Sequence, residues 1–306
     1  MTDALAAAVA DAVRDLFAAG EVWRAVELGE RGLHALAAAP GPSPSKIDAA
    51  LVVGRISAVA NFQGDNSFAR TIAIGAAAAE EARRLGDPLR EAAAHDVAGL
   101  AHYYADMMWL TETYVEASSL FDKARWLLEP DRPGLAAVIF HQGLIEERLS
   151  RLDAADSLFR RAADLAEGMG EELTLSYAVR HLAFGHQRRG DLALALAEAA
   201  RSLSLRRHLR LRPYLPLTLV AVADIRLARG ERVEAGRLYA EALSEARAMR
   251  LPCGEIFALL SEAAVARDDS AMVKARELAA AAGVIAGRVG YPRWVKAIER
   301  FEAGLS

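Results

Sequence analysis

Residues 186–199, HQRRGDLALALAEA, hold the pattern that decides the fold, and residues 226–239, RLARGERVEAGRLY, repeat it 40 positions later. In each stretch a glycine is followed directly by an acidic residue and, five positions after the glycine, by an alanine. Glycine adopts the left-handed conformation that commonly ends a helix, and an acidic side chain suits the N-terminus of the next helix. The two stretches therefore predict helix–turn–helix units that follow one another along the chain.

The same signal occurs nearer the N-terminus, as Gly20-Glu21 and Gly64-Asp65. Units that lack the glycine can be placed by their small residue alone, which gives the series Ala25, Ala69, Ala117, Ala155, Ala195, Ala235 and Ala275. The last four members are separated by three equal spacings of 40 residues. Self-similarity at a fixed period of this size is typical of helical repeat proteins.

The composition also favours helices. Apolar residues make up 53% of the 306 residues, and many are alanine and leucine, the strongest apolar helix formers. Valine and isoleucine form no alternating run, so we predict no strand. The predicted helix pairs lie near 3–19 and 21–38, 46–62 and 65–85, 88–110 and 113–129, 134–149 and 152–168, 171–189 and 191–210, 214–229 and 231–249, and 254–267 and 270–289, with a last helix near 292–304.

Further positions in these pairs resemble the tetratricopeptide repeat. In the best-matching unit, Gly143 occupies the small position of the first helix, and the second helix supplies a small, an aromatic and a small residue at Ala155, Phe159 and Ala162. Two more units fit, with Ala223, Ala235, Tyr239 and Ala242 in one and Ala105, Ala117, Phe121 and Ala124 in the other. The period near 40 exceeds the usual period of about 34 and is similar to that of long-helix variants in bacterial signalling receptors and regulator sensor domains.

The resemblance implies an all-α fold, a right-handed α-solenoid of about seven antiparallel helix pairs with a C-terminal capping helix. It further implies that residues 1–306 form a single superhelical domain, and that the first helix of each pair lines a concave groove. Carried over position by position, the ligand-binding groove consists of Arg55, Asn61, His102, Tyr103, Asp106, Trp109, Phe140, His141, Glu147, Tyr177, Arg180, His181, Phe184, Gln187 and Arg188. Aromatic and polar groups clustered in this way suit a binding site, although some of these aromatic side chains would instead pack between helices.

Catalytic signatures are missing from the sequence. It contains no glycine-rich phosphate loop, no Cys-x-x-Cys pair and no His-Glu-x-x-His motif. His102 and Asp106 are four positions apart and share a helix face, but two ligands do not make a metal site. We therefore predict no catalytic residue, no metal and no cofactor, and hence no enzyme.

Charge and cysteine content narrow the class of protein further. The net charge of −4 argues against general nucleic-acid binding. The basic run 201–212 is either a solvated face at a helix C-terminus or a patch for an anionic partner. No apolar stretch is long enough to span a membrane. The single cysteine, Cys253, is expected to be a buried or incidental thiol and fits a reducing, cytoplasmic location. The abundance of alanine and arginine suggests a bacterial source.

These observations predict a scaffold of a regulatory kind that recognises a peptide or protein partner in its concave groove. One alternative is a sensor for a small molecule or a signal peptide that acts through protein contacts. A less favoured alternative is an enzyme whose central histidines, Asp106 and Glu147 act as acids and bases. The sequence leaves the ligand open, and homo-oligomerisation is possible.

Overall fold

The computed structural model describes residues 2–39, 41–65, 67–128 and 133–305. Within these ranges the chain forms fifteen α-helices and one short 3-10 turn, and no strand occurs. The helices are α1 (Thr2–Ala18), α2 (Val22–Ala37), α3 (Pro44–Gln63), α4 (Phe68–Leu85), α5 (Pro88–Trp109), α6 (Val115–Leu127), α7 (Leu135–Arg148), α8 (Leu152–Met169), α9 (Glu172–Arg189), α10 (Leu192–His208), α11 (Leu215–Ala228), α12 (Arg232–Ala248), α13 (Pro252–Asp268), α14 (Met272–Val289) and α15 (Pro292–Ala303). The predicted all-α solenoid of helix pairs with a last single helix is confirmed.

The chain divides into two compact units. The first comprises Met1–Asp106 and Thr111–Ala178, and the second comprises Met107–Leu110 and Val179–Ser306. In both units consecutive helices pack against each other as pairs, for example α7 with α8 and α13 with α14. First helices of neighbouring pairs also touch, as α1 does with α3 and α11 with α13. The single domain over residues 1–306 stays a prediction.

The turns between helices keep the 40-residue period more strictly than the sequence does. The residues that follow the first helices of the later pairs all have positive φ: Leu110 (58°), Ser150 (60°), Gly190 (84°), Gly230 (82°) and Ser270 (60°). Gly20 and Gly64 end earlier helices in the same region of φ, at 92° and 121°. The predicted role of the turn glycines is thus confirmed, and the same conformation persists where serine or leucine replaces glycine.

The predicted small residues lie in the core, with one exception. Ala25, Ala117, Ala155, Ala195, Ala235 and Ala275 are fully buried. Ala69, however, is exposed, and Thr71 is buried in its place. The reason is turn length, because α4 begins four residues after Gly64 whereas α10 begins two residues after Gly190. The prediction for Ala69 was wrong by two positions.

Small residues of the first helices make room for aromatic rings of the second helices. A Cβ atom on Gly143 would lie 2.6 Å from the ring of Phe159, as expected for a tetratricopeptide-like crossing. The corresponding partner of Phe121 is Gly99, where a Cβ would also lie 2.6 Å from the ring, and not Ala105 as predicted. The chain between α5 and α6 is longer than the other turns inside a pair, so the spacing taken from Gly143 does not transfer.

The basic run 201–212 contributes to packing between successive pairs. Arg206 is 1% exposed and donates a 3.0 Å hydrogen bond to the carbonyl oxygen of Tyr214, as well as one to Thr218 Oγ1. Arg207 forms a 2.6 Å ion pair with Glu241 of α12. At least these arginines therefore connect α10 to the following helices.

Candidate functional site

A histidine and an aspartate from two first helices form a close pair in the first unit. The Nδ1 atom of His141 on α7 lies 2.6 Å from Oδ1 of Asp96 on α5. The side chain of Asp96 is 6% exposed and that of His141 is 13% exposed. Burial opposes ionisation of Asp96, but the charge and hydrogen bond of His141 outweigh it, and Arg55 adds to the effect, so the pKa of Asp96 lies below its ordinary value. Asp96 is therefore a carboxylate at neutral pH.

Arg55 on α3 completes what we call the polar row, which is Arg55, Asp96 and His141. Arg55 is exposed, and its charge acts on Asp96. Within the described ranges the guanidinium makes no hydrogen bond or ion pair with another side chain. The three residues come from the first helices of three successive pairs, α3, α5 and α7. The resemblance assigned Arg55 and His141 to the groove, but not Asp96.

Aromatic rings flank the polar row and fix the imidazole. Phe121 stacks on His141 with ring centroids 5.2 Å apart and planes inclined by 27°. The ring centroid of Phe140 lies 5.4 Å from that of His141, and Phe140 stacks on Tyr177 with centroids 5.5 Å apart. Phe121 and Phe140 are buried whereas Tyr177 is partly exposed. The ring of His141 is thus held by a hydrogen bond along its edge and by stacking on its face, which is how a recognition group is preorganised.

Asn61 was predicted in the groove, but the structure places it in the core. It is fully buried, and its Nδ2 donates to the carbonyl oxygen of Asp65 at 2.8 Å and to Ser67 Oγ at 3.0 Å. Its Oδ1 accepts a 2.8 Å hydrogen bond from Thr71. The amide satisfies the polar groups of the long turn between α3 and α4, so Asn61 is not accessible to a ligand.

Asp106 likewise holds a turn. Its carboxylate accepts hydrogen bonds from Thr111 Oγ1 at 2.5 Å and from the backbone N–H of Tyr114 at 2.9 Å. The turn that it holds includes three non-glycine residues of positive φ, which are Leu110 at 58° and Glu112 and Tyr114 at 51°. His102 is partly exposed and makes no hydrogen bond with Asp106 in the described structure.

The remaining predicted residues of the first unit are divided between core and surface. Tyr103 is 5% exposed and packs against Tyr104 and Tyr114, with ring centroids 5.5 and 5.6 Å apart. Tyr103 therefore belongs to the core, where its ring packs between helices. Glu147 is partly exposed near the end of α7.

Six predicted groove residues belong to the second unit. Trp109 is 41% exposed and meets Tyr291 edge-on at 5.8 Å. Arg180 lies over the ring of Phe184 at 5.2 Å, and its Nη2 is 3.2 Å from Nε2 of His181, which is buried. The other two are Gln187, which is partly exposed, and Arg188, which is exposed.

Sequence reasoning found Arg55, Phe140, His141 and Tyr177 but missed Asp96. The signal for Asp96 is an acid on an apolar helix face, because Ala92, Gly99 and Tyr103 lie four, three and seven positions away and all are buried. A charged group at such a position is rarely buried without a partner. The partner could not be named from sequence, since it lies 45 residues away.

A separate cleft of about 830 Å³ opens on the surface of the first unit between the end of α4 and helices α5, α6 and α7. Its lining includes Glu91 and His95 of α5 and Lys123 and Trp126 of α6. Trp126 is 84% exposed, and burial lowers the pKa of His95, against the opposing charge of Glu91. An exposed indole beside a cleft is a common feature of binding surfaces.

The described residues contain neither a metal-binding cluster nor a membrane-spanning helix. No group of three or more His, Cys, Asp and Glu side chains in them could hold a metal ion. None of their helices is both long and apolar enough to cross a membrane. Cys253 is buried, as predicted, and burial raises the pKa of its thiol well above the usual range.

No sequence family matches the chain, and no curated protein matches it. Among solved structures, a signal transduction ATPase with a tetratricopeptide repeat sensor from Pyrococcus horikoshii matches with a TM-score of 0.59 and 14% identity, over 92% of this chain but only 43% of that protein. The Rap conjugation gene regulator of plasmid pLS20, in complex with the Phr* peptide, matches with a TM-score of 0.56 and 15% identity over 99% and 96% of the two chains. A Rap protein complexed with competence and sporulation factor matches with a TM-score of 0.53 and 11% identity over 99% of each chain.

These likenesses and the helix pairs described above define the class of protein: the chain is an all-helical repeat protein of tetratricopeptide-like fold. The resemblance inferred from the sequence is thereby confirmed. At 11–15% identity the likenesses establish the fold.

Proposed function

We propose that this protein is a regulatory scaffold that binds a peptide or protein partner through the polar row. One observation carries the proposal: three successive first helices bring together a cation, a buried carboxylate and an oriented imidazole. Arg55 is exposed, and the partly exposed ring of Tyr177, which stacks on Phe140, supplies apolar contact. A few fixed polar groups among aromatic side chains are the usual composition of a recognition site.

The fold supports this proposal. Two of the matching structures, the Rap conjugation gene regulator and the Rap protein, were solved with a bound peptide or factor, and each matches over 99% of this chain. We carry over from them only that a helical array of this length can hold a peptide. We further propose that the chain works in the cytoplasm.

We propose binding rather than catalysis. An aspartate–histidine pair also occurs in acid–base catalysis, where the imidazole contacts a nucleophile or a substrate. In the described structure the hydrogen-bond partner of His141 is Asp96, and no hydroxyl or thiol is bonded to the ring. The thiol of Cys253 belongs to the second unit and is buried.

The test is selection from a displayed library of random ten-residue peptides against the purified chain. Peptides that bind the wild type should lose at least about tenfold in affinity to Arg55→Gln and to His141→Phe, which is about 1.4 kcal/mol. Matched controls are Arg161→Gln and His34→Phe, at exposed positions of α8 and α2. Recovery of no peptide, or equal binding by the folded variants and the wild type, would show that the polar row does not recognise peptides.

The cleft beside Trp126 favours a second candidate function, which is sensing of a small molecule. Its volume of about 830 Å³ lies within the range of about 300–1,000 Å³ found for ligand pockets. Screening a metabolite library by tryptophan fluorescence would test this function, with Trp126→Phe to identify the responding indole. A compound that quenches the wild type but not Trp126→Phe supports the cleft, and its binding should be unaffected by His141→Phe.

A further inference from the structure

We infer that His141 in its neutral form presents a bare Nε2 atom to its ligand, and that the group it receives is a hydrogen-bond donor, the backbone N–H of a bound peptide. This inference rests on the proposed function and specifies the chemistry of the same site. It also makes Asp96 a positioning residue, because Asp96 acts through the imidazole.

The tautomer follows from the hydrogen bond between the two side chains. A neutral imidazole carries one N–H, and its other nitrogen is an acceptor. A carboxylate can only accept, so the 2.6 Å contact between Asp96 Oδ1 and His141 Nδ1 places the ring proton on Nδ1. In the neutral ring Nε2 then carries a lone pair.

Nothing in the described part of the chain uses that lone pair. The hydrogen bond of His141 goes through Nδ1, and its other contacts are the rings of Phe121 and Phe140. The side chain of His141 remains 13% exposed to solvent. A half-turn of the ring would keep the stacking on Phe121 but break the hydrogen bond to Asp96, so the acceptor has a fixed direction.

A peptide is a ligand that can supply the hydrogen-bond donor that this acceptor needs. Every residue of a peptide except proline has a backbone N–H, and such a group needs a partner when it is removed from water. Beside the partly exposed ring of Tyr177 a bound backbone would lose water on one side. The Nε2 atom of His141 is the acceptor that compensates one N–H there.

The tautomer can be measured without any ligand, by the ¹⁵N chemical shifts of the histidine rings in labelled protein at pH 8. The signals of His141 are assigned by their loss in His141→Phe. We expect a protonated Nδ1 and an unprotonated Nε2 in the wild type. In Asp96→Asn the amide can donate as well as accept, so the tautomers should become mixed. A protonated Nε2 in the wild type at pH 8 would overturn the inference.

The donor is tested by an N-methyl scan of a peptide obtained in the selection above. Methylation removes one backbone N–H at a time, and at one position it should weaken binding to the wild type by about tenfold while leaving binding to His141→Phe unchanged. Methylation of that position should weaken binding to the control His34→Phe as it does for the wild type. If every methylation has equal effects on wild type and His141→Phe, the inference is wrong although peptide binding stands. If no peptide binds, the proposed function itself fails.

Discussion

Asp224 of α11 accepts a 2.6 Å hydrogen bond from the hydroxyl of Tyr239 on α12, within the second unit. Burial raises the pKa of Asp224 to about 6, although the hydrogen bonds from Tyr239 and Ser261 act in the opposite direction. Because Ser261 lies on α13, this one carboxyl group links three helices. Its protonation is therefore coupled to the stability of the second unit.

We expect Asp224→Asn to stabilise the protein at pH 7.5 and to stabilise it about half as much at pH 5. The folded chain binds the proton of Asp224 more tightly than the unfolded chain, so the stability from this group is complete below pH 4 and is lost as the pH rises through 6. The gain in free energy of unfolding at pH 7.5 should be about 3 kcal/mol, and urea denaturation at pH 5 and at pH 7.5 measures it. Asp164→Asn on the exposed face of α8 is the control. A difference between Asp224→Asn and wild type that does not change with pH would contradict the prediction.

The left-handed serines at the turns provide a second prediction. Ser150→Gly and Ser270→Gly should each raise the free energy of unfolding by about 1 kcal/mol, because positive φ costs a residue with a Cβ atom about 1–2 kcal/mol. Both positions are exposed with φ of 60°. Urea denaturation measures the effect. The control is Ser204→Gly, at an exposed position inside α10, which should instead lower the free energy of unfolding by about 1 kcal/mol. Equal effects of all three substitutions would show that the turn conformation is not responsible.

Overpacking tests the position of the helix crossings. Ala155 is fully buried, so Ala155→Leu should lower the free energy of unfolding by about 1–3 kcal/mol. Ala69 was assigned to the same position from sequence but is exposed, so Ala69→Leu should change stability by less than about 0.5 kcal/mol. Thermal unfolding of the two variants separates the sequence-based position from the observed one. A large loss for Ala69→Leu would restore the original assignment.

Arg206 should be the most sensitive residue of the basic run. Arg206→Met removes the hydrogen bond to the carbonyl oxygen of Tyr214 and the one to Thr218 in a buried setting, and should cost about 2–4 kcal/mol. Arg207→Met, in an exposed ion pair with Glu241, should cost less than about 1 kcal/mol. Chemical denaturation of both variants provides the comparison. Similar losses of unfolding free energy for the two variants would mean that burial does not strengthen the interactions of Arg206.

The helix pairs could be predicted because each rests on a local signal. A glycine or a polar residue ends one helix, and the alanine series marks where the next helix crosses it, so observed helices lie close to the predicted ranges. Ala69 and Ala105 were misplaced because a fixed spacing was applied across turns of different length. Turn length depends on hydrogen bonds such as those of Asn61 and Asp106, which form only after folding.

The candidate site could be predicted only in part. Position in the first helices was enough to find Arg55 and His141, because repeat geometry places such residues on one face. It was not enough to separate accessible polar groups from those that hold turns, since Asn61 and His141 have the same kind of sequence neighbourhood. Asp96 was missed because its role depends on a contact with a different helix pair.

The constant backbone conformation at the turns also affects how such a chain can change in length. Gly190 and Gly230 have nearly the same φ, 84° and 82°, and each is followed by an acidic residue. A recombination event that joined Gly190 directly to Glu231 would delete 40 residues, or duplicate them in the reciprocal product, and would leave the same conformation at the junction. Ser150 and Ser270 have a similar positive φ at the equivalent turns, so junctions without glycine can keep this conformation as well. The gene can therefore gain or lose whole helix pairs as modules, while the turn at each junction stays the same.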